Sequence, residues 1–360
     1  MVNEYQRDDS VDKKILLSAF GIHAGGGLVL LSALIKGLNG SLKMVSLDSR
    51  CIVVKSLILP NVKVNNIRKS FTARILAICR LGCMTLHGDT LLCFNSLPPL
   101  IRPKGRVIVF VQAPHFVGAH RGIRYSWLTA FRIKIERLWF RLGVKNCDEI
   151  WVQTVGMQEA MRTLYPRAFV KVAPLVDDEL AERLSLLPVV VPRSSEDAAQ
   201  YTFFYPADAV GHKNHENLLK AWEILAEKKR NPVLILTLRL DEIEQIKTRA
   251  QLNGDVKMAI VNLGWLSRDE VLNQLRKSSA LIFPSRAETF GLPLLEARAL
   301  GIPILASERD FVRDVCIPSQ TFDPDSPRSI AMAVSRFIDG EYPLTAEYHS
   351  AEKFGKDIFS

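Results

Sequence analysis

"FPSRAETFGLPLLEARALGIPILAS", residues 283–307, ends one apolar run, turns, runs through a helix-length segment and enters a second apolar run. With "ALI" before it, the stretch reads as strand, turn, helix and strand, the βαβ unit of a parallel sheet. Gly291 lets backbone approach a neighbour closely. Pro293 fits the first helical position, and Gly301 marks the helix end. Two carboxylates interrupt this apolar unit, Glu288 in the turn and Glu296 in what should be the first helical turn. Charged side chains are rarely buried without a partner, so each needs one from the protein or from a ligand. The helix start itself offers free N–H groups and a positive dipole to an anion. Carboxylates on either side of such an anion suit hydroxyl pairs. The plainer reading makes Glu296 a complement to the helix dipole and Glu288 a solvated turn residue.

The same alternation continues outward. Candidate strands in the first half are "KILLSAF", "CIVVKSL", "TLLCFNS", "RVIVFVQ", "EIWVQT" and "FVKVAP"; in the second they are "TFFYP", "PVLILTL", "MAIVNLG", "ALIFPS" and "PILAS". Between them, "HENLLKAWEILAEKKR" and "RDEVLNQLRKSS" carry apolar residues at three- and four-residue steps. Proline, serine and acidic residues break the pattern at 188–201, the expected linker. The fold class is therefore α/β, with Rossmann-like, doubly wound domains at 12–180 and 200–340 facing a cleft. Ligands in such sheets bind at the carboxyl ends of strands. The last residues, 341–360, are expected to pack back on the first domain.

At 360 residues, with 48% hydrophobic and 24% charged residues, the chain suits two ordinary globular domains. No run of eighteen apolar residues occurs, so no spanning helix is expected. The polar start "MVNEYQRDDSVDKK" lacks the apolar centre of a signal peptide. Six cysteines without a CxxC pair or zinc spacing read as reduced, buried thiols of a cytoplasmic protein. The net charge of +9 is uneven: residues 1–176 hold 25 Lys+Arg against 10 Asp+Glu, the remainder 22 against 28. A basic first half faces something anionic, such as a lipid surface or phosphates. Nucleic acid is not expected, because no recognition motif accompanies the charge.

The opening stretch resembles the signature of family-4 retaining glycosyltransferases of the GT-B fold, the group 1 glycosyltransferases of cell-surface polysaccharide and lipopolysaccharide type. The matching elements are Pro-Ser, Glu288, Phe-Gly-Leu-Pro, Glu-Ala and Gly-x-Pro. "YPADAVGHKNHENLLKAW", "LGWLSRDEVLNQLRKSSALIFPS" and "FDPDSPRSIAMAV" extend the likeness, and "CDEIWVQTVGMQEAM" and "VAPLVDD" carry it more weakly into the first half. The resemblance implies that Glu288 contacts hydroxyls of a donor sugar. It implies that Thr289, Phe290, Gly291 and Leu292 present N–H groups to the sugar and distal phosphate, and that Glu296 binds the ribose. Lys213, in "GHKN", matches the lysine that neutralises the diphosphate. Ala207 and Asp208 stand where many members carry an arginine, so phosphate binding is expected to be lighter here or shared with His212.

In the first half, Gly25, Gly26 and Gly27 lie between a strand and a helix without the dinucleotide spacing. They suit a loop approaching the donor phosphates or the acceptor from across the cleft, or simply a tight turn. Gln112 and His115 follow another strand. Family members often carry a histidine there near the reacting sugar, and His115 is expected to donate a hydrogen bond to it or to be a plain loop residue. Asp323-Pro-Asp325 looks like a metal-binding pair but reads as the capped start of a helix at Pro327. His212 and His215 lack accompanying metal ligands. Segment 124–145 sets Trp127, Leu128, Phe131, Ile135, Leu138, Trp139 and Leu142 at helical steps, with Arg132, Lys134, Arg137 and Arg141 largely elsewhere. It suits an anionic membrane surface or a sheet-covering helix with a solvated basic face.

The expected function is transfer of a hexose from a nucleotide-diphosphate sugar to a growing, lipid-linked glycan. Retention of configuration, no metal, no cofactor and a cytoplasmic, peripheral place on the inner membrane go with it. A nucleotide-sugar epimerase of the same fold, or a non-catalytic partner subunit, are the other readings.

Overall fold

The computed structural model describes residues 14–118, 127–186 and 201–340. The expected linker, but for its last residue, and the 341–360 segment lie outside them. The first sheet has seven strands: β1 (Ile15–Ala19), β2 (Leu42–Asp48), β3 (Lys63–Ile67), β4 (Thr90–Cys93), β5 (Arg106–Phe110), β6 (Glu149–Val152) and β7 (Val170–Val172). The second has six: β8 (Thr202–Tyr205), β9 (Val233–Leu236), β10 (Ile260–Asn262), β11 (Ala280–Phe283), β12 (Ile304–Ser307) and β13 (Gln320–Phe322). The helices of the first half are α1 (Gly25–Leu38), α2 (Phe71–Met84), α3 (Trp127–Gly143), α4 (Val155–Leu164) and α5 (Asp178–Ser185). Those of the second are α6 (His215–Glu227), α7 (Leu240–Ala250), α8 (Arg268–Lys277), α9 (Leu292–Ala299), α10 (Asp310–Arg313) and α11 (Pro327–Ile338).

Every pairing between these strands is parallel. Central strands such as "ALIF" at β11 are wholly buried, as strands covered on both faces by helices must be. The architecture is the expected α/β arrangement of two doubly wound sheets. "CIVVKSL" is a correction: its residues 53–57 form a short 3-10 turn packed on α1, not a strand. The strands lie on either side of it, at β2 and β3, and the former contains Lys43, Ser46 and Asp48 within an otherwise apolar run. Strand β13 was likewise not expected. The cysteines are all free thiols, but only Cys51, Cys93 and Cys316 are buried, while Cys83 is exposed. Cys83 sits on the outer face of α2, which a count of spacings does not reveal.

Strand order places the functional region. The first sheet runs β3-β2-β1-β4-β5-β6-β7 and the second β10-β9-β8-β11-β12-β13. The order in which the chain adds strands therefore reverses between β1 and β4, and between β8 and β11. Crevices at such reversals are where open α/β sheets receive ligands. The loop after β1 leads into Gly25–Gly27, and the loops after β8 and β11 carry Lys213 and Glu288. The two halves touch here. Thr289 Oγ1 donates to the Gln112 carbonyl at 3.1 Å, the Gly156 N–H donates to Asp314 Oδ2 at 3.0 Å, and α5 packs on α9.

Asp48, at the end of β2, fixes the loop after β1. Its carboxylate is almost wholly buried and accepts from the Gly21 N–H at 3.1 Å, the Arg50 N–H at 3.1 Å and Arg50 Nε at 2.8 Å. The Arg50 hydrogen bond outweighs burial and lowers the Asp48 carboxyl from 3.8 to about 2. A depressed carboxyl stabilises the fold above its unfolded value and loses that contribution as pH falls through the folded one. Asp48→Asn should therefore cost on the order of 2 kcal/mol at pH 7. Urea unfolding should show that deficit shrinking as pH falls from about 4 towards 2. A deficit constant over that range would mean that charge is not what Asp48 contributes.

Candidate active site

The site is built where β8 and β11 part. Tyr205, the last residue of β8, is fully buried, and its hydroxyl donates to the Lys213 carbonyl at 2.8 Å and meets Ser285 Oγ at 3.0 Å. Asn214 takes a left-handed backbone, φ 62°, and buries its amide, which donates to the carbonyls of Pro284 at 3.0 Å and Pro324 at 2.7 Å. The Arg286 N–H donates to the His212 carbonyl at 2.8 Å. The turn Gly211–Lys213 is thus sewn to the loop after β11 by bonds from both backbones. His215 turns inward against Tyr205, with ring centroids 4.9 Å apart, and burial drives its imidazole down to about 3. It is a neutral core residue. Burial also lowers the pKa of His212.

This stitching brings Lys213 and Glu288 together. Lys213 Nζ lies 2.6 Å from Glu288 Oε1, with both side chains mostly buried. Lys213 also lies 5.8 Å from the centroid of the Phe283 ring. Glu288 is therefore a paired carboxylate, and its reading as a solvated turn residue is excluded. Gly291 follows in the left-handed region, φ 73°, as the cap residue of α9. Helix α9 begins at Leu292, so Pro293 is its second residue and Glu296 its fifth, just past the first turn. The proline ring needs only a position without an intrahelical donor, and the second residue satisfies this equally well. Phe290 and Leu292 are buried. Thr289 is held by the Gln112 carbonyl of the opposite half.

Glu296 is 6% exposed, which excludes a simple dipole role at the surface. Its partner is one the sequence did not suggest: Arg268 Nε lies 3.3 Å from Glu296 Oε1, and the other end of the guanidinium holds Asp177 Oδ2. Burial pushes the Glu296 carboxyl above the usual carboxylate range, against the pull of Arg268. A cavity of about 50 Å³ adjoins this cluster between α5, α8 and α9.

Across the gap, Gly25 and Gly26 do face the second half. A Cβ on Gly26 would lie 3.2 Å from the Leu292 side chain, and one on Gly25, φ 63°, would lie 3.6 Å from Asp208 Oδ2. A Cβ on Gly27 would meet Gln112 Oε1 at 3.5 Å. The small residues hold the N-terminus of α1 close against the α9 loop. Asp208 puts a negative charge there, in the position where the resemblance would have an arginine. His115 packs against Phe116, with Nε2 3.2 Å from Glu136 Oε2 of α3 but out of line for a hydrogen bond. Its nearest charged partner is thus within its own half.

Asp325 is gripped by Arg286 at 2.7 Å and Arg309 at 2.8 Å, and Ser326 caps α11 through the Ser329 N–H at 3.2 Å. No group of three or more potential metal ligands occurs among the described residues. The Asp-Pro-Asp segment is accounted for by these ion pairs and the helix start.

Residues 192–357 match the model of the glycosyl transferases group 1 family. The second domain is a group 1 glycosyltransferase domain. The chain is 29% identical over 150 residues, 39% of its length, to the serotype-specific mannosyltransferase WbdA of Escherichia coli. It is 26% identical over 222 residues, 61% of the chain, to an uncharacterized glycosyltransferase of Haemophilus influenzae. The aligned parts span only 18% and 57% of those proteins. Among solved structures, Anabaena Alr3699/HepE in complex with UDP and glucose superposes with a TM-score of 0.63 at 16% identity, over 91% of this chain and 90% of that one. The lipopolysaccharide outer core galactosyltransferase WaaB in its apo form gives 0.56 at 15% identity, over 96% and 99%. The fold is GT-B.

The Lys213–Glu288 pair is testable without any ligand. Removing one member of a buried pair leaves the other uncompensated, which costs far more than removing both. Lys213→Met should destabilise the group 1 domain by about 1–3 kcal/mol. Adding Glu288→Gln should recover most of it in chemical denaturation. Additive losses would show that the two side chains do not interact in solution.

Proposed function

We propose that this chain is a GT-B glycosyltransferase that moves a hexose from a nucleotide-diphosphate sugar to a hydroxyl of a growing glycan, with retention and without a metal ion. The observation that carries this reading is the convergence of Lys213, Glu288 and the start of α9 at the strand reversal of the second sheet, opposite Gly25–Gly27. The diphosphate would lie over the N–H groups of Thr289–Leu292 and beside Lys213. Both meet the charge that grows on the leaving group. Glu288 would exchange part of its contact with Lys213 for sugar hydroxyls, and Glu296 would accept from the ribose.

In this reading the bond from the anomeric carbon to phosphate breaks and a bond to the acceptor oxygen forms on the same face. The acceptor proton passes to a phosphate oxygen of the leaving nucleoside diphosphate. No second carboxylate is required. A mannosyltransferase and a galactosyltransferase among the similar proteins support a hexose donor, and a UDP complex on the same fold supports a nucleotide in the cleft. His115 would stand on the acceptor side, beside Glu136.

Glu296→Gln should weaken nucleoside diphosphate binding by about 1–3 kcal/mol while the protein stays folded. Lys213→Ala should lower turnover more than it weakens binding, because the charge it meets is largest in the transition state. EDTA should leave activity unchanged. Loss restored by manganese or magnesium would refute metal-free transfer, and conversion of a nucleotide sugar without acceptor would point to epimerisation.

The acceptor is proposed to be lipid-linked and met at an anionic inner-membrane surface. No helix of the described residues is long and apolar enough to cross a membrane. Helix α3, however, fully buries only Ile133, Trp139, Phe140 and Gly143, and Trp127, Leu128, Phe131, Leu138 and Leu142 lie exposed beside exposed Arg132, Lys134, Arg137 and Arg141. The single apolar face expected from the sequence is thus divided, with Trp139 taken into the core, where its indole donates to the Pro98 carbonyl at 2.7 Å. What remains outside combines aromatic and cationic side chains, the mixture that favours a bilayer interface. Each cation near anionic lipid contributes about 1 kcal/mol, fading over a Debye length. Co-sedimentation with phosphatidylserine or cardiolipin vesicles should fall steeply with salt and vanish when the four cations are changed to glutamate. Binding insensitive to both changes, or none at low salt, would remove the membrane from this account.

A further inference from the structure

Arg268 opens α8 as its first residue, where a cation opposes the helix dipole. Ser267 and Glu270 already cap that helix, so Arg268 does nothing for the helix end. Its guanidinium instead bridges two carboxylates. One is Asp177, which follows the last strand of the first sheet and, through the Leu180 N–H at 3.1 Å, caps α5, the helix packed on α9. The other is Glu296, in the interior of α9. The contact to Glu296 is a single one at 3.3 Å, and that to Asp177 is the tighter.

We propose that Arg268 is a positioning residue for the nucleotide site: anchored on Asp177, it keeps the buried Glu296 carboxylate charged and aimed to accept ribose hydroxyls. This rests on the reading of Glu296 given above. An ionised carboxylate accepts only, whereas a protonated one donates through one oxygen and offers less to a pair of hydroxyls. Burial alone drives Glu296 towards the protonated form, and Arg268 is the cation in contact with it. The other charged groups facing this pocket are Asp177, Glu179 and Arg183 from the α5 side, and Asp269 and Arg276 from α8. Arg298, on the same helix as Glu296, is turned to the Val315 carbonyl at 2.9 Å. The strands beneath α9, Ala280–Phe283 and Ile304–Ser307, bring no charged side chain.

The test is calorimetric titration from pH 5.5 to 8.5 with UDP, or with GDP, ADP or CDP if one binds more tightly. Ionisation of the nucleotide's own phosphates is common to all variants, so the ratio of each variant to wild type isolates the protein group. Arg268→Ala should lose affinity more at pH 6 than at pH 8, by on the order of tenfold for each unit that the Glu296 carboxyl rises. Arg268→Lys should keep a profile close to wild type, since it restores the charge. Glu296→Gln should bind weakly at every pH, and adding Arg268→Ala to it should introduce no new pH dependence. A folded Arg268→Ala whose profile runs parallel to wild type overturns the proposal. So does a lysine variant that behaves like alanine, because charge is then not the operative property. A wild type that binds none of the four nucleotides is a distinct outcome: it overturns the site reading itself, and the role of Arg268 with it.

Discussion

The ion pair between Lys213 and Glu288 is the constraint around which the second domain is organised. It joins the loop after β8 to the loop after β11 across the strand reversal, and it exists because buried Tyr205 and Asn214 lock those two backbones together. A cation and an anion in mutual contact at low exposure restrain each other's conformation. The consequence is a rigid seat for the left-handed turn at Gly291 and for the start of α9. A nucleotide diphosphate would meet groups already in place, so little ordering would have to accompany binding.

The second carboxylate, Glu296, obeys the same logic one turn deeper. It is tolerated among leucines and alanines because Arg268 reaches it, and Arg268 is itself fixed by Asp177 at the start of α5. The candidate nucleotide site is thus tied to the start of α5 by three charged residues, and to the opposite half by the Thr289–Gln112 bond and the close approach of Gly26 to Leu292. Small residues on one side of the gap and paired charges on the other let the two domains meet without burying an unpaired ion.

Much of this was legible in the sequence, and the exceptions have physical causes. Glu296 announced itself as a charge on an apolar helix, and Gly291 with Pro293 marked the helix start to within one residue. Asn214, at positive φ, and Arg268 gave no comparable signal. An arginine at the start of a charged helix looks like a solvated residue until the fold carries a carboxylate to it from 91 positions away. "CIVVKSL" misled because apolar β-branched runs also serve as turns packed under a helix, while the true strand at β2 carries a lysine, a serine and an aspartate. In segment 124–145 the helical spacing was right, but a period alone does not say which side of the helix the sheet covers. The sheet took Ile133, Trp139 and Phe140 and left most of the other large residues outside.

The central claim is that the group 1 domain holds a nucleoside diphosphate between Lys213, the start of α9 and Glu296. A crystal structure of the protein with its tightest-binding nucleoside diphosphate tests this most directly. The account predicts phosphate oxygens at hydrogen-bond distance from Lys213 Nζ and from N–H groups between Thr289 and Leu292, with the ribose hydroxyls on Glu296. A nucleotide bound elsewhere, with the Lys213–Glu288 and Arg268–Glu296 contacts undisturbed and no ligand atom on any of the four, would contradict it.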